Sequence, residues 1–467
     1  MSVPFRAGDA AQWSGGSLRR GRPDAVFTGA AIDSRSVEPG QLFVAIVGPN
    51  HDGHDYLAAS AERGAAGLVV GSGRELPAAL AADLPLIAVE DTTLALGAIA
   101  AGHRRGYGGP LIAITGSNGK TTTKEMCAAI LSVARPCLKN PGNLNNQFGL
   151  PLTLLSRAET DQRIVVELGT NHRGEIAALA EIAAPSVGVV TNIGTAHIEH
   201  LGSRDEIARE KGDLLASLPR SGTAVVNADD PYAAELAGRS QARVLHFGRG
   251  PDADVGAEAV SVRDGHGYAF ALCTPEGRAD VEVAGLGETT VINALAAAAA
   301  ALAAGAPLGD VVQGLGKVRP IGGRLERRAL PGNITLIDDS YNANPQSLEV
   351  ALQLLASSPV EGRRLAVLGD MGELGDDAEE AHREAGRLVA TLGIDQLFTV
   401  GARAETVAAG AVEAGMSASR IQQLRDSDEA GAPVKAALRK GDWVLVKGSR
   451  SMRMERITNF LDAEARS

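Results

Sequence analysis

The chain has 467 residues, more than one hydrophobic core usually serves, so we expect two to four domains. Its net charge of −11 argues against nucleic acid as the main partner. Three widely spaced cysteines show no metal-binding pattern, which is typical of a reduced compartment. The longest apolar run, residues 294–304, is too short to cross a bilayer, and the N-terminus lacks a signal-peptide pattern. We therefore expect a cytoplasmic protein without membrane insertion.

The first region, residues 1–108, mixes short strands with turns. Apolar runs at residues 42–46 and 67–70 predict strands, and residues 94–105 predict a helix. We assign this region to a first domain.

A candidate phosphate-binding loop follows. Residues 111–115 are apolar and β-branched, which predicts a buried strand, and apolar residues recur at helical spacing after residue 121. Between them lies Gly-Ser-Asn-Gly-Lys-Thr, whose glycines would let backbone N–H groups surround a phosphate at a helix N-terminus. Lys120 would reach the β- and γ-phosphates, and the Thr121 hydroxyl could bind Mg²⁺. The predicted nucleotide contacts of the loop are Gly116, Ser117, Asn118, Gly119, Lys120, Thr121 and Thr122.

The loop departs from the common motif G-x-x-x-x-G-K-[ST]. Ile114 stands where the first glycine of that motif would fall. The flanking strand and helix still favour a phosphate-binding loop over a chance turn with a surface lysine.

Two further α/β regions follow. In residues 109–325, apolar strands alternate with helices, which predicts a parallel sheet, and residues 255–283 predict an antiparallel insert before an alanine-rich helix. In residues 326–467, four strand-like runs alternate with helices and predict a second open sheet, without a G-x-G-x-x-G motif. The predicted class is therefore α/β, with central and C-terminal domains after the first. The predicted strands are residues 164–166, 187–190, 224–226, 334–337, 365–368, 397–400 and 443–446.

Polar residues beyond these strands are candidate site residues, because ligands of open α/β sheets bind at the carboxyl ends of the strands. Glu167 could hold Mg²⁺, which prefers oxygen ligands, or simply begin a helix. His197 could be functional or structural. Lys211 looks like a solvated helix lysine, and Asn293 like a helix-start residue. Arg324 could reach a phosphoryl group when domains close, or be an ordinary surface arginine.

Residues 338–345, Asp-Asp-Ser-Tyr-Asn-Ala-Asn-Pro, form the most polar of these segments. Two acids, a serine, a tyrosine and two asparagines exceed what a turn needs, so a ribose or substrate contact is favoured over a plain loop. Residues 369–375 and 446–455 are similarly polar.

Together these motifs resemble the Mur ligase family, which builds the peptide stem of bacterial peptidoglycan. The shortened loop, residues 115–121, looks like the ATP loop of that family, and the likeness extends from residue 33 to the C-terminus. The resemblance implies an N-terminal domain for a UDP-sugar, a central ATPase and a C-terminal Rossmann-like domain. The other segments that carry it are residues 48–55, 140–151, 337–345, 369–375 and 446–454.

The resemblance also implies residue roles. Lys120 would contact the γ-phosphate, while Thr121, Glu167 and His197 would form the metal sites. Lys211 matches a lysine that is carbamylated in relatives, and with Lys120 and Arg324 it completes the expected catalytic set. Asn293 and Arg324 would contact the nucleotide and Asp339 its ribose; residues 287–293 lack the His-Asn pair usual in relatives, which weakens that expectation for Asn293. The expected substrate contacts are Ser34, Arg35, Asn145, Asn146, Thr170, Tyr341, Asn342 and Asn344.

The implied activity is an ATP- and Mg²⁺-dependent amide ligation by a monomer. The terminal carboxylate of a UDP-N-acetylmuramoyl-tripeptide would take the γ-phosphoryl group, and the amine of D-alanyl-D-alanine would displace phosphate. Folylpolyglutamate synthase and ligases for earlier stem residues are alternatives, disfavoured by residues 338–345. A nucleotide-dependent binding switch is another, and it leaves the polar third region unexplained.

Overall fold

The first part of the chain forms a five-stranded sheet beside a two-stranded one. The computed structural model describes residues 2–263 and 267–463. The larger sheet has the order β2-β7-β6-β5-β4, parallel except for β2, and β1 pairs with β3. The elements are β1 (Phe5–Arg6), α1 (Ala7–Trp13), β2 (Ser17–Arg20), β3 (Val26–Phe27), β4 (Ala30–Ala31), β5 (Leu42–Val44), α2 (Leu57–Glu62), β6 (Gly67–Gly71), β7 (Leu86–Val89) and α3 (Thr92–Arg105), with a 3₁₀ turn at Gly53–Tyr56.

The middle part is built on a parallel six-stranded sheet of order β13-β12-β11-β8-β10-β9. Its four inner strands are mostly apolar and buried, as is typical of a parallel sheet with helices on both faces. The elements are β8 (Leu111–Thr115), α4 (Lys120–Leu131), β9 (Cys137–Lys139), α5 (Gly149–Leu155), β10 (Arg163–Glu167), α6 (Glu175–Ala183), β11 (Val187–Val190), α7 (Ile198–Leu201), α8 (Arg204–Ala216), β12 (Thr223–Asn227), α9 (Ala233–Gly238), β13 (Arg243–Phe247), β14 (Gly256–Arg263), β15 (Gly267–Thr274), β16 (Gly277–Ala284), α10 (Thr289–Ala303) and α11 (Leu308–Gly316).

The last part has a six-stranded sheet of order β17-β18-β22-β19-β20-β21, in which only β17 runs antiparallel. Its elements are β17 (Glu326–Leu330), β18 (Ile334–Asp339), α12 (Pro345–Ser357), β19 (Arg364–Gly369), α13 (Ala378–Thr391), β20 (Gln396–Val400), α14 (Ala404–Glu413), β21 (Ile421–Leu424), α15 (Ser427–Ala437), β22 (Trp443–Lys447) and α16 (Glu455–Ala463), with 3₁₀ turns at Gly375–Asp377, Ala418–Arg420 and Arg450–Met452.

The predicted α/β class is confirmed, and the antiparallel insert is the three-stranded sheet β14-β15-β16. In the middle and last parts of the chain, four strands were not predicted, and all of them lie at sheet edges: β9, β13, β17 and β21. An edge strand is half exposed and carries polar residues, so it lacks the continuous apolar run that marked the inner strands. No helix within the described part of the chain is long and apolar enough to cross a membrane.

Candidate active site

The loop between β8 and α4 lies at the carboxyl end of the central sheet, between β10 and β11. Two of its glycines have positive φ, +150° at Gly116 and +81° at Gly119. A Cβ at Gly116 would lie 1.9 Å from Thr191 Oγ1, and one at Gly119 would lie 2.3 Å from Asn293 Oδ1. Only glycine fits either position, so the loop closes tightly against its neighbours.

The segment after β11 supports this loop. Thr191 Oγ1 donates to the Asn118 carbonyl at 2.6 Å. The Asn192 carbonyl accepts from Ser117 N at 2.9 Å, and its Oδ1 accepts from Asn118 N at 3.0 Å. Thr191 and Asn192 were not among the predicted site residues. Their position directly after a buried strand beside the loop strand was the available signal.

Lys120 folds back over the loop. Its Nζ donates to the carbonyls of Gly116, at 2.7 Å, and Ser117, at 3.3 Å. Burial lowers the pKa of the Lys120 amine, the Glu167 carboxylate opposes this shift and Arg324 adds to it. A cation is thus held where the loop would receive phosphate oxygens.

The side chains of Thr121 and Glu167 meet at the N-terminus of α4. The Thr121 hydroxyl donates to Glu167 Oε2 at 2.7 Å, and Asn145 Nδ2 donates to Oε1 at 2.7 Å. A hydroxyl and a carboxylate beside a phosphate loop fit Mg²⁺, which binds through few carboxylates plus phosphate oxygens. Within residues 2–263 and 267–463, no three His, Cys, Asp or Glu side chains could hold a metal by themselves.

His197 faces the last part of the chain. Its Nδ1 lies 2.5 Å from Glu373 Oε2, at ion-pair distance but without hydrogen-bond alignment. Both residues have positive φ, +63° and +61°. His197 lowers the pKa of the Glu373 carboxyl, and His200 and His172 contribute to the same shift. Glu373 was not among the predicted site residues, although it belongs to the polar segment 369–375.

Lys211 is buried, which corrects its interpretation from composition as a solvated lysine. It lies on α8 with a residue exposure of 1%, four residues after Ile207 and four before Leu215, which are both buried. Burial lowers the pKa of the Lys211 amine to about 7, with Lys120 adding to the shift and Glu210 opposing it. The apolar residues at helical spacing were the signal that was overlooked.

Thr170 belongs to the same neighbourhood. Its hydroxyl lies 3.1 Å from Glu210 Oε1 and donates to the His172 carbonyl at 2.8 Å. The Glu210 carboxylate also accepts from the backbone N–H groups of Gly174 and Ile176, at the start of α6. Thr170 therefore lies on a polar network beside Lys211.

The predicted nucleotide contacts Asn293 and Arg324 approach the loop from different elements. Asn293 Oδ1 accepts from Thr123 Oγ1 at 3.4 Å. The Arg324 guanidinium stacks over the Tyr341 ring, 4.2 Å from its centroid. Arg324 and Tyr341 thus contact each other at the junction before β17.

Asp339 and Asn342 are tied to Lys447. Asp339 Oδ2 accepts from Lys447 Nζ at 2.5 Å, and its Oδ1 accepts from Leu325 N at 3.1 Å. The Asn342 carbonyl accepts from the same Lys447 amine at 2.9 Å. Lys447, the last residue of β22, was not predicted individually, although the polar segment that contains it, residues 446–455, was noted.

Asn344 joins the last part of the chain to the loop. Its side chain caps α12 by accepting from Ser347 N at 2.9 Å, and its Nδ2 donates to Asn118 Oδ1 at 2.8 Å. Gln346 Oε1 accepts from the Thr195 hydroxyl at 2.9 Å. The start of α12 therefore contacts both the loop and the segment before His197.

The remaining predicted residues have local partners. Arg35 forms an exposed ion pair with Asp33, beside Ser34, in the first part of the chain. Asn146 Oδ1 accepts from Gly149 N at 2.9 Å at the start of α5, and Thr122 lies in α4. The substrate roles of Ser34, Arg35 and Asn146 and the nucleotide role of Thr122 stay predictions.

Comparison with known proteins identifies the family. Residues 26–104 match the catalytic domain of the Mur ligase family, residues 114–301 the Mur ligase middle domain and residues 323–450 the Mur ligase glutamate ligase domain. A UDP-N-acetylmuramoyl-tripeptide–D-alanyl-D-alanine ligase of Escherichia coli (strain K12) is 37% identical, covering 94% of each chain. The chain belongs to the Mur ligase family. This confirms the resemblance found in the sequence and makes the protein an ATP-dependent ligase.

Other relatives of this Mur ligase agree. The ligase of the same name from Bacillus subtilis (strain 168) is 35% identical and covers 93% of each chain. The structure of MurF from Acinetobacter baumannii has a TM-score of 0.88 at 34% identity, covering 98% of this chain and 99% of that one. MurF from Thermotoga maritima, solved with ADP, has a TM-score of 0.81 at 27% identity, covering 94% and 98%.

Proposed function

We propose that this Mur ligase joins D-alanyl-D-alanine to UDP-N-acetylmuramoyl-tripeptide, converting ATP to ADP and phosphate. The observation that carries the proposal is the near full-length identity, 37% over 94% of each chain, with a relative of that name. We further propose domains at residues 1–108, 109–325 and 326–467, and a monomer acting in the cytoplasm, where both ATP and UDP-linked substrates occur.

The reaction needs two displacements. A tripeptide carboxylate oxygen attacks the γ-phosphorus, the bond to ADP breaks and an acyl phosphate forms. The dipeptide amine then attacks the acyl carbon, loses a proton and expels phosphate. Lys120 and Arg324 would spread the negative charge that develops at the phosphoryl group.

Thr121 and Glu167 would hold Mg²⁺, with His197 as a further predicted ligand. When bound, Mg²⁺ supplies charge stabilisation to the phosphate oxygens. The 2.7 Å contact between Thr121 Oγ1 and Glu167 Oε2 supports this assignment. The lowered pKa of the Lys211 amine supports carbamylation there, because the neutral amine is the form that adds CO₂ and releases a proton. The carbamate would place an anion in this buried region.

The remaining contacts are proposed from the resemblance to the Mur ligase family. Asn293, Arg324 and Asp339 are proposed for the nucleotide. Asn145, beside Glu167, and the start of α12 are proposed to face the tripeptide carboxylate. Ser34 and Arg35 are proposed for the UDP moiety.

An omission assay tests the proposal. ADP release should require both UDP-N-acetylmuramoyl-tripeptide and D-alanyl-D-alanine, and mass spectrometry should show the UDP-pentapeptide. ATP hydrolysis that ignores the dipeptide would contradict it and favour a nucleotide-dependent switch. The fold alone does not separate the alternatives, since folylpolyglutamate synthase of Mycobacterium tuberculosis shares it at a TM-score of 0.63 and 21% identity.

A further inference from the structure

The side chain of Asn140 takes the place of a strand partner for Glu167. Regular pairing of β9 with β10 ends at Lys139 and Val165. Beyond it, Asn140 Oδ1 accepts from Glu167 N at 2.9 Å and Nδ2 donates to Glu167 O at 3.1 Å. Asn140 has no exposed surface. Both backbone polar groups of Glu167 are therefore paired with one side chain, which fixes the backbone that aims the carboxylate.

The same amide shapes the loop that returns to Glu167. Asn140 Nδ2 also donates to the Leu144 carbonyl at 2.9 Å. The next residue, Asn145, donates to Glu167 Oε1, and its carbonyl accepts from Gly169 N at 2.9 Å. Asn140 thus positions Glu167 in two ways. Its side chain pairs with the Glu167 backbone, and it shapes the loop whose Asn145 donates to the Glu167 carboxylate.

Lys124 ties this arrangement to α4. It is fully buried, one helical turn after Lys120, and its Nζ donates to the Asn140 carbonyl at 2.7 Å. The same Nζ lies 3.1 Å from Glu125 Oε1. A buried ammonium is costly unless its donors are satisfied, so these contacts constrain where the helix and the loop lie. The helix that carries Thr121 is thereby linked to the loop that positions Glu167.

We propose that Asn140 and Lys124 are positioning residues that set the Glu167 carboxylate against the Thr121 hydroxyl for the divalent cation. The inference rests on the proposed function, because it takes Glu167 as a metal ligand. Groups that orient a metal ligand without touching the metal typically contribute 10- to 100-fold to affinity or activity.

Three variants test the inference. Asn140→Asp keeps the shape but replaces the NH₂ donor with an oxygen that faces two carbonyls. Asn140→Ala removes the side chain, and Lys124→Met removes the ammonium. Mn²⁺ binding followed by electron paramagnetic resonance, with a non-hydrolysable ATP analogue present, should weaken by about 10-fold or more in each. Saturating Mg²⁺ should restore part of kcat, because the defect lies in metal affinity.

Ile130→Val is the matched control for lost stability. Ile130 is buried on α4 and belongs to the core cluster of the middle part, and its variant should lower the melting temperature with unchanged Mn²⁺ affinity. If the Asn140 variants do not fold, Lys124→Met decides alone. Wild-type Mn²⁺ affinity in a folded Asn140 or Lys124 variant overturns the inference.

Glu167→Gln separates this inference from the proposed function. Weakened Mn²⁺ binding in Glu167→Gln with wild-type binding in the Asn140 variants refutes the positioning role alone. Wild-type binding in Glu167→Gln refutes the metal role of Glu167, and the positioning role falls with it. The omission assay for both substrates reports on the ligase reaction independently.

Discussion

At the scale of single residues, the phosphate-binding loop depends on two glycines that meet different neighbours. Gly116 closes against Thr191, whose hydroxyl holds the Asn118 carbonyl, and Gly119 closes against Asn293. The shortened spacing of the motif therefore goes with close packing on both sides of the loop. Any side chain at these positions must displace a group that shapes the site.

We expect Gly116→Ala to weaken nucleotide binding by at least about tenfold. The new methyl group would lie 1.9 Å from Thr191 Oγ1, and the φ of +150° strains any residue with a Cβ, at a cost of about 1–3 kcal/mol. Calorimetric titration with ADP measures the loss. Gly108→Ala is the control, since no atom lies within 4 Å of its added Cβ. Unchanged ADP affinity in Gly116→Ala would contradict the tight fit.

Lys211→Met should stabilise the protein in a pH-dependent way in CO₂-free buffer. The folded pKa of about 7 lies below the ordinary value of 10.5, so the unfolded chain binds more protons between these values. Stability of the wild type therefore rises with pH across that window. Below pH 7, the cost of burying a protonated Lys211 amine lowers the free energy of unfolding by its full amount. The variant's advantage, on the order of 5 kcal/mol, should be largest near pH 6 and shrink toward pH 10.

Urea denaturation between pH 6 and pH 9.5 measures this difference. Lys317→Met, at an exposed lysine directly after α11, is the control and should show no such trend. If the stability difference between Lys211→Met and wild type stays constant with pH, burial does not lower the pKa of the Lys211 amine.

At the scale of elements, the start of α12 has two roles that can be separated. Asn344 and Ser347 form a reciprocal capping box, which stabilises the helix N-terminus. Only Asn344 also reaches the loop, through its bond to Asn118 Oδ1. One helix end thus combines local stability with contact to the nucleotide site.

We expect Asn344→Ala and Ser347→Ala to lower the free energy of unfolding by similar amounts, about 1 kcal/mol each. Only Asn344→Ala should also raise the KM for ATP, because only it loses the bond to Asn118. Thermal unfolding and steady-state kinetics separate the two effects. An equal change in KM in both variants would assign it to helix fraying instead.

At the scale of the whole molecule, the middle and last parts of the chain meet around the candidate site. Glu373 pairs with His197, and the backbone N–H of Glu199 donates to the Glu373 carbonyl at 3.3 Å. Gln346 and Asn344 add hydrogen bonds from α12. These contacts hold the parts together on the side where the reaction is proposed, which would help exclude water from an acyl phosphate.

Glu373→Gln should slightly weaken the contact between the middle and last parts of the chain. The Glu373 side chain is 45% exposed, so loss of the ion pair is expected to cost about 0.2–1 kcal/mol and to raise the KM for the UDP-tripeptide up to about fivefold. Small-angle X-ray scattering should show a larger radius of gyration. Glu413→Gln, equally exposed but paired within the last part with Arg383 and Arg387, should change neither quantity. If both variants change the KM and the radius of gyration by the same amount, Glu373 does not hold the two parts of the chain together.

Features that depend on local residue patterns and their spacing could be predicted from the sequence. Apolar runs marked the inner strands, and the Gly-Lys-Thr run after β8 marked the loop, because strand, turn and helix are consecutive there. Full-length motif similarity determined the family. Glu167 could be predicted because it ends a buried strand next to the loop strand.

Contacts between side chains that are distant in the chain became visible in the three-dimensional structure alone. The burial of Lys211 depends on what α8 packs against, and the pairing of His197 with Glu373 depends on how two sheets dock. Asn140 was not among the predicted site residues, yet its amide completes the pairing of Glu167 on another strand. Such contacts join residues far apart in the chain, and their energies depend on burial that no local window contains.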